Sequence, residues 1–289
     1  MLSSARNRVV LFLILTYALS SIFYVQIASS GKMKMLPVLG LMWCPGVAAL
    51  ITRLVTQRNL RGIGWGWGKT RWQVLGYLLP PLMALVVYGI VWLTGIGGVS
   101  GEGLVATFSG QIGRKIPLPA ILGLLATVGL LQGAFFALGE ELGWRGLLVP
   151  ELATMTSFTK TALISGAAWS VYHYPLILTS DYTSGAPRWY VLIVFTWMVI
   201  ASSFVFAWLR LKSGSVWTAV ILHASHNLFI QEIFDPLTLD RGITKYVTTE
   251  FGIGLTIAYS VAAWICWTKR GELSRIVDRS DPVAYPDPI

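Results

Sequence analysis

Eight stretches of roughly twenty mostly apolar residues run through the chain, near 9–29, 36–56, 74–95, 123–150, 159–178, 189–210, 215–233 and 251–268. A helix of that length crosses a hydrocarbon core of about 30 Å. Lipid cannot hydrogen-bond backbone groups, so a helix that satisfies its own is the form such segments take. The expected fold is therefore all-α, a polytopic membrane bundle of about eight transmembrane helices. Of the 289 residues, 55% are hydrophobic and 12% charged, about half the charged share of a soluble domain. A transmembrane helical domain over 1–270 accounts for nearly the whole chain, with its motif-bearing core at about 123–233. The remainder, 271–289, is a polar tail whose Asp and Pro residues predict disorder.

The net charge of +9 raises the question of nucleic acid, and the placement of the charges answers it. With an even number of spans, both termini lie on one side. That side collects Arg6, Arg8, Arg53, Arg58, Arg61, Lys69, Arg71, Arg145, Lys160, Arg210, Lys212, Lys269, Arg270, Arg275 and Arg279. Only Lys32, Lys34, Arg114, Lys115, Arg188, Arg241 and Lys245 fall opposite. The excess is topological, and the positive-inside rule predicts an integral, multi-pass cell-membrane protein with both termini cytoplasmic. No nucleic-acid partner is expected; membrane lipid is. The first apolar run exceeds the length of a signal-peptide core, and removing it would spoil the agreement between span parity and charge, so it reads as a retained span.

Loops and cysteines add less. The segment Arg61 to Trp72 carries four glycines and three tryptophans among basic residues, a composition suited to the headgroup level. Its Lys-Thr pair lacks the spacing of a phosphate-binding loop. Gly95 to Gly103 reads as a flexible connection. Cys44 and Cys266 fall within spans and read as small core hydrophobes, not as part of a disulfide framework or zinc knuckle.

Within this apolar chain the ionisable residues of three segments stand out. Glu140 and Glu141 are adjacent, with Arg145 just beyond, between the apolar flanks 123–138 and 146–149. Carboxylates are costly in hydrocarbon and persist there with a partner or a task. Helical spacing puts Glu141 and Arg145 on one face, able to pair, while Glu140 is turned about 100° away. That leaves Glu140 as the freer carboxylate and the candidate general base. Trp169 and His173 lie one turn apart in the fifth span, just before Pro175, which is expected to end or kink that helix. His223 and Asn227, also one turn apart, can aim two donors at one point, as an oxyanion requires. The plainer reading of each histidine is a hydrogen bond between helices. The three segments meet only if the fourth helix continues through Leu147 and Leu148.

Glu-Glu-x-x-x-Arg, aromatic-x-x-x-His and His-x-x-x-Asn, in this order and each in its own span, resemble the CPBP family, the CAAX-prenyl-protease and bacteriocin-processing (Abi) group of intramembrane endopeptidases. The likeness covers roughly 35–235. It implies an eight-helix architecture and a glutamic-type mechanism in which Glu140 and His173 activate a water. It further implies that His223 and Asn227 hold the tetrahedral oxyanion, and that Glu141 pairs with Arg145 to orient the site. Trp169 stands where phenylalanine is commonest, which keeps an aromatic wall. His226 is outside the family motif.

The resemblance implies no cofactor. Zinc is the rival, since a glutamate and two histidines could supply three ligands with an open position, but no His-Glu-x-x-His helix is present to anchor it. Serine or cysteine nucleophiles lack an activating pattern. The expected substrate is a peptide or a membrane protein, cleaved near the cytoplasmic side where the basic loops lie. The alternative is a non-catalytic membrane protein whose polar cluster serves transport, a proton relay or an assembly.

Overall fold

The computed structural model describes residues 4–273; the expected disordered tail lies, from 274 onward, outside them. The described residues form helices in chain order: α1 (Ala5–Ser30), α2 (Met35–Gln57), α3 (Thr70–Leu93), α4 (Glu102–Ile112), α5 (Leu118–Leu124), α6 (Leu130–Glu141), α7 (Val149–Ala153), α8 (Phe158–Thr179), α9 (Arg188–Ser213), α10 (Val216–His226) and α11 (Ile253–Thr268). Wider π-helical turns join some of these end to end, at Leu125–Gly129, Leu142–Leu148 and Asn227–Phe234. A single helical path therefore runs over Leu118–Ala153, 36 residues long, and α10 continues to Phe234. Each expected span corresponds to one helical pass. Five passes, α1, α2, α3, Leu118–Ala153 and α9, are long and apolar enough to cross a membrane by length and composition. The fold is an all-α polytopic membrane bundle.

Local sequence sets the helix ends. Ser4, Ser157 and Ser215 each accept a hydrogen bond from a first-turn backbone N–H of α1, α8 and α10, which satisfies one of the donors a helix start leaves open. Gly31 and Gly214 close α1 and α9 in the left-handed region, where a residue without Cβ is least strained. Pro175 does not end α8, which runs on to Thr179. The freed backbone positions of a proline are tolerated in a packed membrane helix.

Contacts among loops divide the bundle into two faces. On one, Arg8 Nε and Nη2 donate to the two carboxylate oxygens of Glu151 at 2.8 and 2.7 Å, Trp217 donates to Trp65 O, and Lys212 pairs with Glu272 at 2.6 Å. This is the basic face. On the other, Met33 N donates to Asp181, and Tyr190 donates to Tyr246 O. There Gly98–Val99 (β1) also pairs antiparallel with Thr238–Leu239 (β2). The pairing fixes the segment expected to be a flexible connection: β1 and the start of α4 lie within Gly95 to Gly103. Cys44 and Cys266 are free thiols.

The basic loop after α2 is also built into the fold. Ile63 is fully buried, and the Arg210 side chain donates to Gly62 O and Ile63 O. Gly64 has φ +90°, and a Cβ there would meet Gly214 O at 2.7 Å, so this turn has room only for glycine.

The crossing of α2 with α6 positions the acidic pair. A Cβ on Gly46 would lie 2.6 Å from Gly139 O, and one on Gly139 would lie 2.6 Å from Met42 O and 2.8 Å from Trp43 Cα. Small residues of this kind let membrane helices approach backbone to backbone. Gly139→Ala is expected to push the helices apart at a cost of about 1–3 kcal/mol. It should lower the thermal unfolding midpoint of the detergent-solubilised protein, and an unchanged midpoint would show that this crossing has slack.

Candidate active site

The three segments singled out in the sequence come together in the interior of the bundle. The helical path through Leu118–Ala153 does continue past Leu147 and Leu148, which carries Glu140, Glu141 and Arg145 to the same depth as the histidines. Glu140, Glu141 and Arg145 are 2%, 0% and 1% exposed, so the acidic trio is not a charged loop at a helix end.

Glu141 and Arg145 pair as their spacing predicted: Arg145 Nη1 donates to Glu141 Oε1 at 2.9 Å. The same Oε1 lies 2.8 Å from His223 Nδ1, a contact the sequence did not suggest. A carboxylate only accepts, so Nδ1 carries its hydrogen. Glu141 thus ties the fourth pass to the seventh. The Arg145 guanidinium sits in the corner formed by the rings of Trp169 and Phe206, which meet at 73°, 4.0 Å from each centroid, where the ring faces offer the partial negative charge that a desolvated cation needs. Arg210 Nε donates to Arg145 O at 2.8 Å, fixing the backbone of this π-helical turn to α9.

Glu140 takes a different set of partners. Its Oε2 accepts from Trp169 Nε1 at 2.7 Å and from Trp144 Nε1 at 3.2 Å. It makes no ion pair among the described residues. It is the freer of the two carboxylates, as expected, and is held by neutral donors. Trp169 is the hub of the arrangement. Its main-chain carbonyl accepts from His173 Nδ1 at 2.8 Å, and its ring lies 6.0 Å from that of His173 and 5.5 Å from that of His223. A carbonyl only accepts, so His173 holds its hydrogen on Nδ1 and keeps Nε2 as an acceptor. A phenylalanine at 169 would keep the wall and lose the donor to Glu140.

His173, His223, Asn227 and Trp169 line one cavity of about 40 Å³, room for roughly three waters. Glu140 does not line it; its carboxylate lies at the Nε1 edge of the Trp169 ring that does. His226, outside the motif, lies on the cavity wall and bonds through Nδ1 to Tyr259 Oη at 2.9 Å. The cavity extends past Tyr182, Gln231 and Glu250, three residues that sequence reasoning did not single out. All three also line a wider vestibule of about 440 Å³, between the loops over 180–187 and 235–252. The site therefore leads away from the basic face, contrary to the expectation of cleavage beside the basic loops. The reason is steric: the loop at Gly62 and Ile63, clamped by Arg210, packs beneath Arg145 and closes that end.

The donor set is turned to hydrogen bonding. Glu140 Oε2 holds two indoles, Glu141 Oε1 holds Arg145 and His223, and all three cavity histidines have Nδ1 engaged. Among the described residues, no three His, Cys, Asp or Glu side chains gather at a point that could hold a metal ion.

A helical membrane bundle with a buried Glu, Glu/Arg, His and His/Asn constellation is the class that fold and site define. Residues 122–229, which hold every one of these groups, match the family model of type II CAAX prenyl endopeptidases, Rce1-like. The chain is also 28% identical over 155 residues to CAAX prenyl protease 2 of Methanococcus maripaludis, a match covering 51% of this chain and 54% of that protein. The chain thus spans about half the length of the curated relative it matches. The segment that carries the site is thus similar to CAAX prenyl proteases, in agreement with the CPBP resemblance of the motifs.

The two carboxylates should differ in what their loss costs. Glu141→Gln leaves Arg145 buried without its paired charge and is expected to destabilise the protein by about 3–5 kcal/mol. Glu140→Gln keeps an acceptor for both indoles and should cost under about 1 kcal/mol. Thermal unfolding of the two purified variants checks the order; equal midpoints would show that the ion pair does not hold the site together.

Proposed function

We propose that this protein is an intramembrane endopeptidase of glutamic type that hydrolyses a peptide bond of a peptide or membrane-protein substrate without a metal cofactor. The observation that carries the reading is the sharing of one small cavity by His173, His223 and Asn227, with Glu140 held at its edge by Trp169. The family match at the same residues supports it.

In this mechanism a water in the cavity gives a proton to the base formed by Glu140 and His173, and its oxygen bonds to the scissile carbonyl carbon. The carbonyl π-bond opens, and the tetrahedral oxyanion is held by Asn227 Nδ2 and His223. Because His223 Nδ1–H is already given to Glu141, donation from Nε2 requires the doubly protonated ring. The C–N bond then breaks, and the leaving nitrogen takes back the proton. Placing these groups in a dry, fixed site removes most of the reorganisation that water would impose. No acyl-enzyme forms.

The test uses purified full-length protein in detergent and a quenched-fluorescence membrane reporter. Glu140→Gln and His173→Ala are expected to abolish cleavage while leaving the unfolding midpoint of the first near wild type. Asn227→Ala removes one oxyanion donor and should lower kcat by about 10²–10³ with little change in KM. Trp169→Phe removes one of two hydrogen bonds on Glu140, for which a tenfold loss of rate corresponds to about 1.4 kcal/mol. Cleavage should persist in excess chelator. Wild-type turnover by Glu140→Gln would sink the reading, and loss of activity on chelation, restored by zinc, would replace it with metal hydrolysis.

A further inference from the structure

Glu250 sits where the catalytic cavity meets the vestibule and lines both. It is 4% exposed. Its Oε1 accepts from Gln231 Nε2 at 2.9 Å, and Tyr182 lines the same cavity and vestibule. The Tyr182 ring in turn packs 6.1 Å from the His173 ring, tilted by 32°. Glu250 is thus one aromatic ring away from a residue of the proposed catalytic pair. No basic side chain pairs with it among the described ion pairs; Lys245 lines the vestibule but packs over Tyr246, 5.6 Å from its ring centroid.

A buried carboxylate with only neutral donors is unusual, because desolvation costs several kcal/mol and is ordinarily offset by a cation. Burial pushes the Glu250 carboxyl up to about 7, the response of a group whose charge lacks a counterpart. Two of the other buried carboxylates do have one, Glu151 with Arg8 and Glu141 with Arg145; Glu140, the proposed base, is the other that is held by neutral donors. The neck of the cavity is therefore built for a positive charge that this chain does not itself supply. Asp181, Asp235 and Asp240 on the vestibule walls give the approach the same sign, which raises the local concentration of cationic segments.

We propose that Glu250, held by Gln231 beside Tyr182, is a specificity-determining residue that pairs with a lysine or arginine of the substrate close to the scissile bond. This rests on the endopeptidase reading and deepens it by naming the substrate chemistry. The Tyr182 ring, 6.1 Å from that of His173, lines one small cavity with Glu250, a separation that about two to three extended residues can span. The cation accordingly lies within about three residues of the bond that is cut, on the side that faces the vestibule.

The experiment incubates full-length protein in detergent with a synthetic mixture of tetradecapeptides in which Lys, Arg, Gln and Glu are equally represented, and maps cleavage sites by mass spectrometry. Glu140→Gln defines the background. Wild type is expected to enrich Lys and Arg about tenfold within three residues on one side of the cleaved bond. Glu250→Gln, and Glu250→Ser as a second charge-free variant, should abolish that enrichment while still cutting neutral sequences; Glu250→Asp should retain it. Wild-type cleavage without cation enrichment, or enrichment that survives in a charge-free variant, overturns the role of Glu250 and leaves the endopeptidase reading standing. Absence of any Glu140-dependent product overturns the endopeptidase reading, and this inference with it.

Discussion

The Glu141 carboxylate, buried with Arg145 on one oxygen and His223 on the same oxygen, is the interaction on which the rest of the site depends. A charge with no exposure is stable only when its partners are held as firmly as it is. Each partner is fixed by a different element. Arg145 packs into the corner formed by the rings of Trp169 from α8 and Phe206 from α9, and its carbonyl receives Arg210. His223 comes from α10 and packs its ring against Trp169. One carboxylate thus fastens four passes of the bundle around one point, and the site inherits its precision from an ion pair that touches no substrate.

The division of labour between Glu140 and Glu141 follows from which way a helix turns. One residue of rotation, about 100°, takes Glu141 to the cation and Glu140 to two indole N–H groups. Neutral donors position the Glu140 carboxylate without cancelling its charge. Trp169 joins this carboxylate to the ring of His173 by using both its side chain and its own carbonyl. The two groups proposed to share the base function are therefore aligned by a single residue.

Much of this could be read from the sequence. Apolar segment length gave the bundle, since lipid imposes an arithmetic that loops and turns do not. The Glu141 and Arg145 pairing followed from helical spacing, and convergence of the three motifs followed from the likeness of their order. What remained hidden depends on contacts between distant segments. The Glu141 to His223 bond joins residues on different passes, and no local pattern encodes it. The π-helical turns at Leu142–Leu148 and Asn227–Phe234 abut the site residues without any proline or other mark in the turns themselves, although such wide turns recur at functional sites. Pro175 looked like a helix end and is carried within α8, because packed neighbours support the freed backbone. Glu250 was invisible for a further reason: it lies in a connecting loop, beyond the motifs, and matters only because that loop folds back over the cavity.

The distribution of charge connects the topology of the chain with access to its site. Arginines gathered on one face set the expected orientation, and one of them, Arg210, reaches in to hold the loop at Gly62 and Ile63 against the backbone of Arg145. The device that marks the basic face also closes it. A cavity sealed there must open elsewhere, and it does so between loops whose walls carry Asp181, Asp235, Asp240 and Glu250 against Lys245 alone. In a chain with 22 basic and 13 acidic residues, acids so concentrated at the vestibule invert the overall charge there. The charge expected to orient the protein in the membrane and the charge that lines the vestibule thus have opposite signs, and a vestibule of that sign attracts cationic segments.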